Sequence, residues 1–171
     1  ALIPQRPETA ERVIEDLAHL LRAGMKNVAH WHRLEEELEL VAAYLEIESL
    51  RLGKRLKVDW QRKPVPGACR VPTLILQPLV ENAVYHGIEP SPEGGTITIL
   101  VSAVRGRLRL EVRNPAVAAG SSRQSRGNHM ALANIRERLE LAFGALARIE
   151  SEIRDGEYRV RILMPIVEDT P

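Results

Sequence analysis

Cysteine is almost missing from this sequence: Cys69 stands alone among 171 residues. One thiol cannot close an internal disulfide, so the fold must hold without cross-links, and the usage fits a reducing compartment. Aromatic residues are nearly as scarce, with one Phe, two Trp and three Tyr, too few to interleave with basic side chains as a stacking surface for bases. Neither sign of charge is in excess: 24 Lys and Arg face 23 Asp and Glu, a formal net of +1. That balance excludes a global pull toward nucleic acid or an anionic membrane, so any basic site must be local. No apolar run approaches the roughly 20 residues that cross a bilayer, and the opening residues do not read as a charged-then-apolar leader. What is present is the composition of one globular domain, 44% hydrophobic and 27% charged, able to bury a proper core. Because Ala1 leads into a helical pattern within about ten residues, the sequence is expected to be a piece of a longer protein.

Between Pro7 and Gly24, Ala10, Val13, Ile14, Leu17, Leu20 and Leu21 recur at helical spacing and predict an amphipathic helix. A second is predicted from Leu34 to Leu52 on the stripe Leu34, Leu38, Val41 and Leu45. Glu35, Glu36 and Glu37 fall in its first turn and Arg51, Lys54 and Arg55 at its exit, as the helix dipole favours. Leu56, Val58 and Trp60 then alternate with polar residues, which reads as a strand with one buried face. Val71 to Gly87 returns to helical spacing, with Pro72 near its start, Pro78 as a kink and Gly87 as its stop. Two hairpins are predicted, Thr96–Val104 with Arg107–Arg113 around Arg105-Gly106, and Leu146–Ile153 with Tyr158–Ile166 around Asp155-Gly156. Between them Val117–Asn128, rich in Ala, Gly and Ser, is expected to be a mobile loop leading into a helix from about Ala131 to Phe143. This order predicts an α+β fold, a two-layer α/β sandwich of about five mostly antiparallel strands covered on one face by helices.

The segment Leu76-Gln-Pro-Leu-Val-Glu-Asn-Ala-Val-Tyr-His-Gly87 carries the most chemistry. Leu76, Leu79, Val80, Ala83 and Val84 form its apolar stripe, while Asn82 and His86, four apart, line the flank and Glu81 lies about a third of a turn away. Polar groups beside a buried face can look into a cleft, where a carboxamide oxygen suits a Mg²⁺ ion already held by phosphates and a carboxylate can accept a proton. The bland alternative is that Glu81 and Asn82 are solvated and His86 merely caps the helix end. A second candidate is Gly127-Asn-His-Met-Ala-Leu-Ala-Asn134, read either as a phosphate cradle ahead of a helix, aided by Arg123 and Arg126, or as an ordinary capped loop. Asn114-Pro115, after a strand, either meets a purine edge or is a simple turn. His30, His32 and Glu35 lack a full ligand set, so a metal site there is rejected. The arginines at 107, 109, 159 and 161 raise nucleic-acid binding, but Glu111 and Glu157 interrupt them, and no nucleic-acid partner is expected.

Together these segments resemble the Bergerat-fold ATPases of the GHKL group, and within it the LytS/AlgZ-type sensor histidine kinases. The stretch Leu76–Gly87 resembles that family's N box almost residue for residue. Tyr44-Leu-Glu-Ile-Glu48 with Arg51-Leu-Gly-Lys-Arg-Leu56 is similar to the segment before it, and Met130-Ala-Leu-Ala-Asn-Ile-Arg-Glu-Arg-Leu139 to the end of the second glycine box. The resemblance implies a Bergerat-type sandwich at 29–171 preceded by the far end of dimerisation helices at 1–28. It implies ATP with Mg²⁺, Asn82 as metal ligand, Glu81 assisting proton removal from an accepting imidazole and His86 beside the phosphates. Asn114 would meet adenine, and Gly127, Asn128, His129, Met130, Ala131, Leu132 and Asn134 would form the lid and the helix behind it.

The accepting histidine would lie upstream on the same protein or its dimer mate, since none of the five histidines here matches it. The implied partner is a response regulator of LytR/AlgR type, and the implied parent is a homodimer anchored in the bacterial inner membrane, with this part cytoplasmic and not itself inserted. Asn114 stands where the wider group has an aspartate, and His129 and Ala131 where glycines are expected. These departures keep open a signalling scaffold of the same fold with weak or no ATP binding.

Overall fold

Period-two alternation and two tight turns build the main sheet of the described molecule. The computed structural model describes residues 31–65, 68–116 and 122–168, with side chains throughout except at 122–129. The helix read at Ala10–Leu21, the division read at residue 28, and His19 and His30 lie outside the described residues. In chain order come β1 (Trp31–Arg33), α1 (Leu34–Leu52), a 3-10 turn, β2 (Leu56–Arg62), β3 (Cys69–Pro72) and α2 (Gln77–Ala83), which runs into a π-turn (Val84–Ile88). Then follow β4 (Gly95–Val104), β5 (Arg107–Pro115), α3 (Ser122–Phe143), β6 (Arg148–Arg154), β7 (Glu157–Pro165) and β8 (Val167–Glu168).

Five strands form one sheet in the order β2-β4-β5-β7-β6. Its only parallel pair is β2 with β4; the others are antiparallel. Both expected hairpins are present, and their turns explain them. Arg105 and Gly106 have φ of 51° and 72°, and Asp155 and Gly156 of 54° and 76°, the double left-handed pair whose twist matches the flanking strands. Rows such as Val101, Leu110 and Ile162 pair across three strands and are buried beneath the helices with Leu34, Val41, Leu79, Val80, Ile135 and Leu139. The sandwich expected from the sequence is therefore the one found. A second sheet, β1-β3-β8, was not foreseen, because strands of two to four residues carry no readable period.

Two helices differ in their boundaries from the sequence reading. The helix expected from Val71 begins only at Gln77, since Val71 and Pro72 pair with β1 and Leu74 takes a φ of 55°, outside any right-handed helix. Pro78 accordingly sits in the first turn, where its missing N–H costs nothing, and causes no kink. Nor does Gly87 stop the chain, which continues through the π-turn to Ile88. In α3 the difference runs the other way. The helix starts at Ser122 instead of about Ala131, because Ser122–Met130 contains no proline and a single glycine among helix-tolerant Arg, Gln and Met residues.

The outer sheet face also departs from a simply solvated surface. Glu111 is fully buried there, accepting hydrogen bonds from Arg109 Nη2 at 2.5 Å, Arg113 Nε at 2.6 Å and Arg161 Nε at 2.6 Å. Burial works against its charge, but the hydrogen bonds from Arg109, Arg161 and Arg113 outweigh it and hold the carboxyl down at about 2. Because that value lies below the ordinary 4.5, the unfolded chain takes up the proton first as pH falls. The contribution is thus complete above about 4.5 and lost on the way down to about 2. Glu111→Gln is expected to lower stability by roughly 3 kcal/mol at neutral pH, measured by urea unfolding, because three guanidinium groups lose their counter-charge. The gap between variant and parent should close across that acid window.

Candidate functional site

The residues singled out from the sequence depend on where α2 begins, and a buried carboxylate decides that. Glu37, on the inner face of α1, is fully buried. Its Oε1 accepts from the backbone N–H of Leu76 at 2.7 Å and Gln77 at 3.1 Å, and its Oε2 from Leu74 N–H at 3.0 Å. His32 Nε2 stands 2.7 Å from the same Oε2. A helix N-terminus exposes unpaired donors and partial positive charge, and a carboxylate answers both. From the other side, Arg138 of α3 donates to Thr73 O at 2.7 Å. The β3–α2 turn is thus gripped by both neighbouring helices.

From this anchored start, Leu79, Val80, Ala83 and Val84 face the core, which turns Glu81, Asn82 and His86 to the half-buried flank. Gln77 Nε2 donates to Glu81 Oε1 at 3.0 Å, one turn earlier on the same helix. Asn82 Nδ2 and His86 Nδ1 are both buried and have no hydrogen-bond partner. Burial lowers the His86 pKa, with nearby Glu89 pulling the other way, so the imidazole is neutral at physiological pH. The π-turn closes with Glu89 N–H donating to Val84 O at 2.9 Å, and the exposed Tyr85 ring meets the His86 ring in a T-shaped contact at a centroid distance of 4.8 Å.

Gly87 faces Asn114 at the end of β5, and a Cβ on Gly87 would fall 2.3 Å from Asn114 Nδ2 and 2.7 Å from its Cγ. The absence of a side chain at 87 is what brings the helix against that strand. Asn114 itself is buried, and its Nδ2 donates to Pro115 O at 2.8 Å. It lies within β5, not after it. In α3, Gly127, Asn128 and His129 are within the helix and not in a loop ahead of it, so the expected use of a helix N-terminus at Gly127 does not hold. Met130 is exposed, Ala131 half-buried, Leu132 buried and Asn134 exposed. Leu132 therefore belongs to the core beside Ile135 and Leu139. Two surface hollows, of about 510 Å³ between α1 and β2 and about 260 Å³ beside the end of α3 and β6, contain none of these residues.

Sequence reasoning did not find Glu37, which it read as one of three dipole-matching acids. Its position one residue before Leu38 and four before Val41 puts it on the buried side of α1, and that was the available signal.

Comparison with known proteins now bears on this arrangement. The family model described as histidine kinase matches residues 1–56. The sensor histidine kinase YpdA of Escherichia coli is 31% identical over 146 residues, covering 81% of this chain and 26% of YpdA. YesM of Bacillus subtilis is 31% identical over 158 residues, covering 90% of this chain and 27% of its own. The chain belongs to the sensor histidine kinase family. It spans about a quarter of the length of these curated relatives. Two solved histidine kinases share the fold: ShkA in complex with AMPPNP (TM-score 0.61, 21% identity, 94% of this chain and 36% of that one) and ThkA in complex with the response regulator TrrA (0.61, 17%, 96% and 50%). The mixed five-stranded sheet with its helices is that of histidine kinase catalytic domains.

Glu37→Ala removes the acceptor for three backbone donors, each costing about 1–3 kcal/mol when left unmade, and is expected to lower unfolding free energy by at least roughly 3 kcal/mol. A loss under about 1 kcal/mol in urea titrations would mean water replaces the carboxylate. Gly87→Ala should destabilise by about 1–3 kcal/mol through overpacking, and because the three nearest atoms all belong to Asn114, the double variant G87A/N114G should lose less than the two single variants combined.

Proposed function

We propose that this chain is the ATP-binding catalytic part of a two-component sensor histidine kinase of the LytS/AlgZ type. Residues 1–28 end the dimerisation helices and 29–171 bind nucleotide. The observation that carries the reading is the pair of orphaned polar atoms, Asn82 Nδ2 and His86 Nδ1, buried one turn apart beside Glu81. Buried polar groups in folded proteins are nearly always paired, so two such groups on one flank are suited to a polar ligand. A half-turn of the Asn82 carboxamide exchanges its nitrogen for its oxygen, and that oxygen is the hard donor that Mg²⁺ takes alongside phosphate oxygens.

On this reading Asn82 ligates the metal, and His86, kept neutral by its burial, lies beside the phosphate chain. Glu81, oriented by Gln77, receives the proton from the attacking imidazole. Asn114, with its amide nitrogen committed to Pro115 O, accepts from the adenine amino group through Oδ1. Gly127, Asn128, His129, Met130 and Ala131 form the lid side, with Leu132 and Asn134 on the helix behind. Bound Mg²⁺ supplies neutralisation of the charge that develops on the γ-phosphoryl group. The accepting histidine lies upstream, on the same protein or its dimer mate. A response regulator of LytR/AlgR type receives the phosphoryl group; the complex of ThkA with the response regulator TrrA supports a response-regulator partner as such. The parent is a homodimer anchored in the bacterial inner membrane with this part in the cytoplasm.

The test is binding. Mg²⁺-ATP at a hundred times its Kd should raise the stability of the parent chain by about 2.7 kcal/mol, seen as heat in calorimetry and as a higher Tm, and Asn82→Ala should weaken that binding at least about tenfold. In the full-length kinase Glu81→Gln should keep nucleotide binding yet slow transfer about a hundredfold or more. No heat and no shift at millimolar nucleotide would sink the kinase reading and leave the scaffold.

A further inference from the structure

The C-terminal end of α1 carries a polar cluster that none of the roles above uses. Arg51 Nε and Nη2 both donate to Glu48 Oε2, at 2.9 and 2.5 Å, one turn back on the same helix. The same Nη2 forms an ion pair with Glu89 Oε1 across the gap to the π-turn. One turn further, Arg55 Nη1 donates to the backbone carbonyl of Glu89 at 3.4 Å. Glu89 is the residue whose N–H closes the π-turn onto Val84 O. Two arginines of one segment therefore hold a single residue, one by its carboxylate and one by its carbonyl. Tyr44, a turn before Glu48, completes the cluster; its phenol is pushed well above the usual range by burial, then by Glu48 and Glu81, so it stays neutral between two carboxylates.

What is held matters because a π-turn adds one residue to each turn and is costly in isolation, persisting where surrounding contacts impose it. This one spans Val84–Ile88 and contains both His86, with its orphaned Nδ1, and Gly87, which rests on Asn114. If Glu89, the residue that caps the turn, is released, the segment can relax to ordinary α-helical spacing, which rotates His86 and Gly87 relative to Asn82. Neither α1 nor Arg51 needs to touch a ligand for this to change the site.

We infer that Arg51 is a positioning residue for the nucleotide site, acting through Glu89 to fix the π-turn that aims His86 and Gly87. The inference rests on the nucleotide-binding reading of Asn82 and His86, and it assigns α1 a part in setting that site's geometry. Arg51 is 43% exposed in its side chain, and half-exposed ion pairs contribute little to global stability. Its loss should therefore be felt in local order and affinity, with the melting temperature nearly unchanged.

Arg51→Met keeps the apolar stem of the side chain and removes the charge; Glu89→Gln removes the other partner. In hydrogen exchange without nucleotide, both variants should speed exchange at the Gly87, Ile88 and Glu89 amides about tenfold while β5 and β7 amides keep their parent rates. With Mg²⁺-ATP, both should raise Kd about tenfold, and the double variant should be no worse than either single one, because the pair acts as a unit. Arg51→Lys should recover part of the affinity, since it restores the charge without the fork. Unchanged exchange at 87–89 overturns the pin. Changed exchange with parent-like Kd overturns the positioning role while leaving the site. A parent chain that binds no nucleotide overturns the site reading and this role with it, whatever the exchange data show.

Discussion

The geometry of the whole site hangs on one buried carboxylate. Glu37 supplies the acceptor for three backbone donors at and just before the start of α2, and without it that helix would begin in the core with unpaired N–H groups. Because the turn before it is too tight for helix, with Leu74 at positive φ, the turn itself offers those donors no helical partner. The acceptor must come from elsewhere, and α1 delivers it. Where α2 starts then fixes the rotation of everything after it: the core takes Leu79, Val80, Ala83 and Val84, and Glu81, Asn82 and His86 are left on the flank.

The rest of the architecture works to keep that flank against β5. The sheet offers an apolar inner face to the helices, and its outer face is tied by the arginines converging on Glu111 from β5 and β7. Such a cluster links two strands without adding apolar surface to the water side. At the β5 end, Asn114 and Gly87 meet with no room for another atom, so strand and π-turn are in register. Electrostatics and packing thus act on different parts of the same strand: Glu111 in its middle, Asn114 at its end.

Much of this was legible in the sequence, and the pattern of what was not is physical. Both hairpins could be read because their information is local, an alternating run on each side of a turn that needs left-handed residues. The α1 stripe was equally clear. In the candidate site, the shared flank of Glu81, Asn82 and His86 was legible because one short helical run, α2 and the π-turn after it, carries all three, and the resemblance covered the same run. Two of the failures involve partners distant in sequence, and the third is local. Val71-Pro72 was read as helix because nothing local announces a strand whose neighbour is Trp31–Arg33. Glu37 looked like an ordinary first-turn acid, since its three partners lie 37 to 40 residues away. The start of α3 was misplaced because small residues suggested a loop, whereas one glycine is a modest cost in a helix.

The single parallel pairing in the main sheet has a consequence for assembly. Leu56–Arg62 lies alongside Gly95–Val101 in seven-residue register, and a parallel neighbour can be reached only by a long crossover. Every residue from β3 through the π-turn travels within that crossover. The two hairpins close over short spans and are expected to form early, whereas the edge strand has a much longer loop to close. The segment bearing Asn82 and His86 is therefore expected to acquire its final shape late in folding, after the platform it rests on already exists.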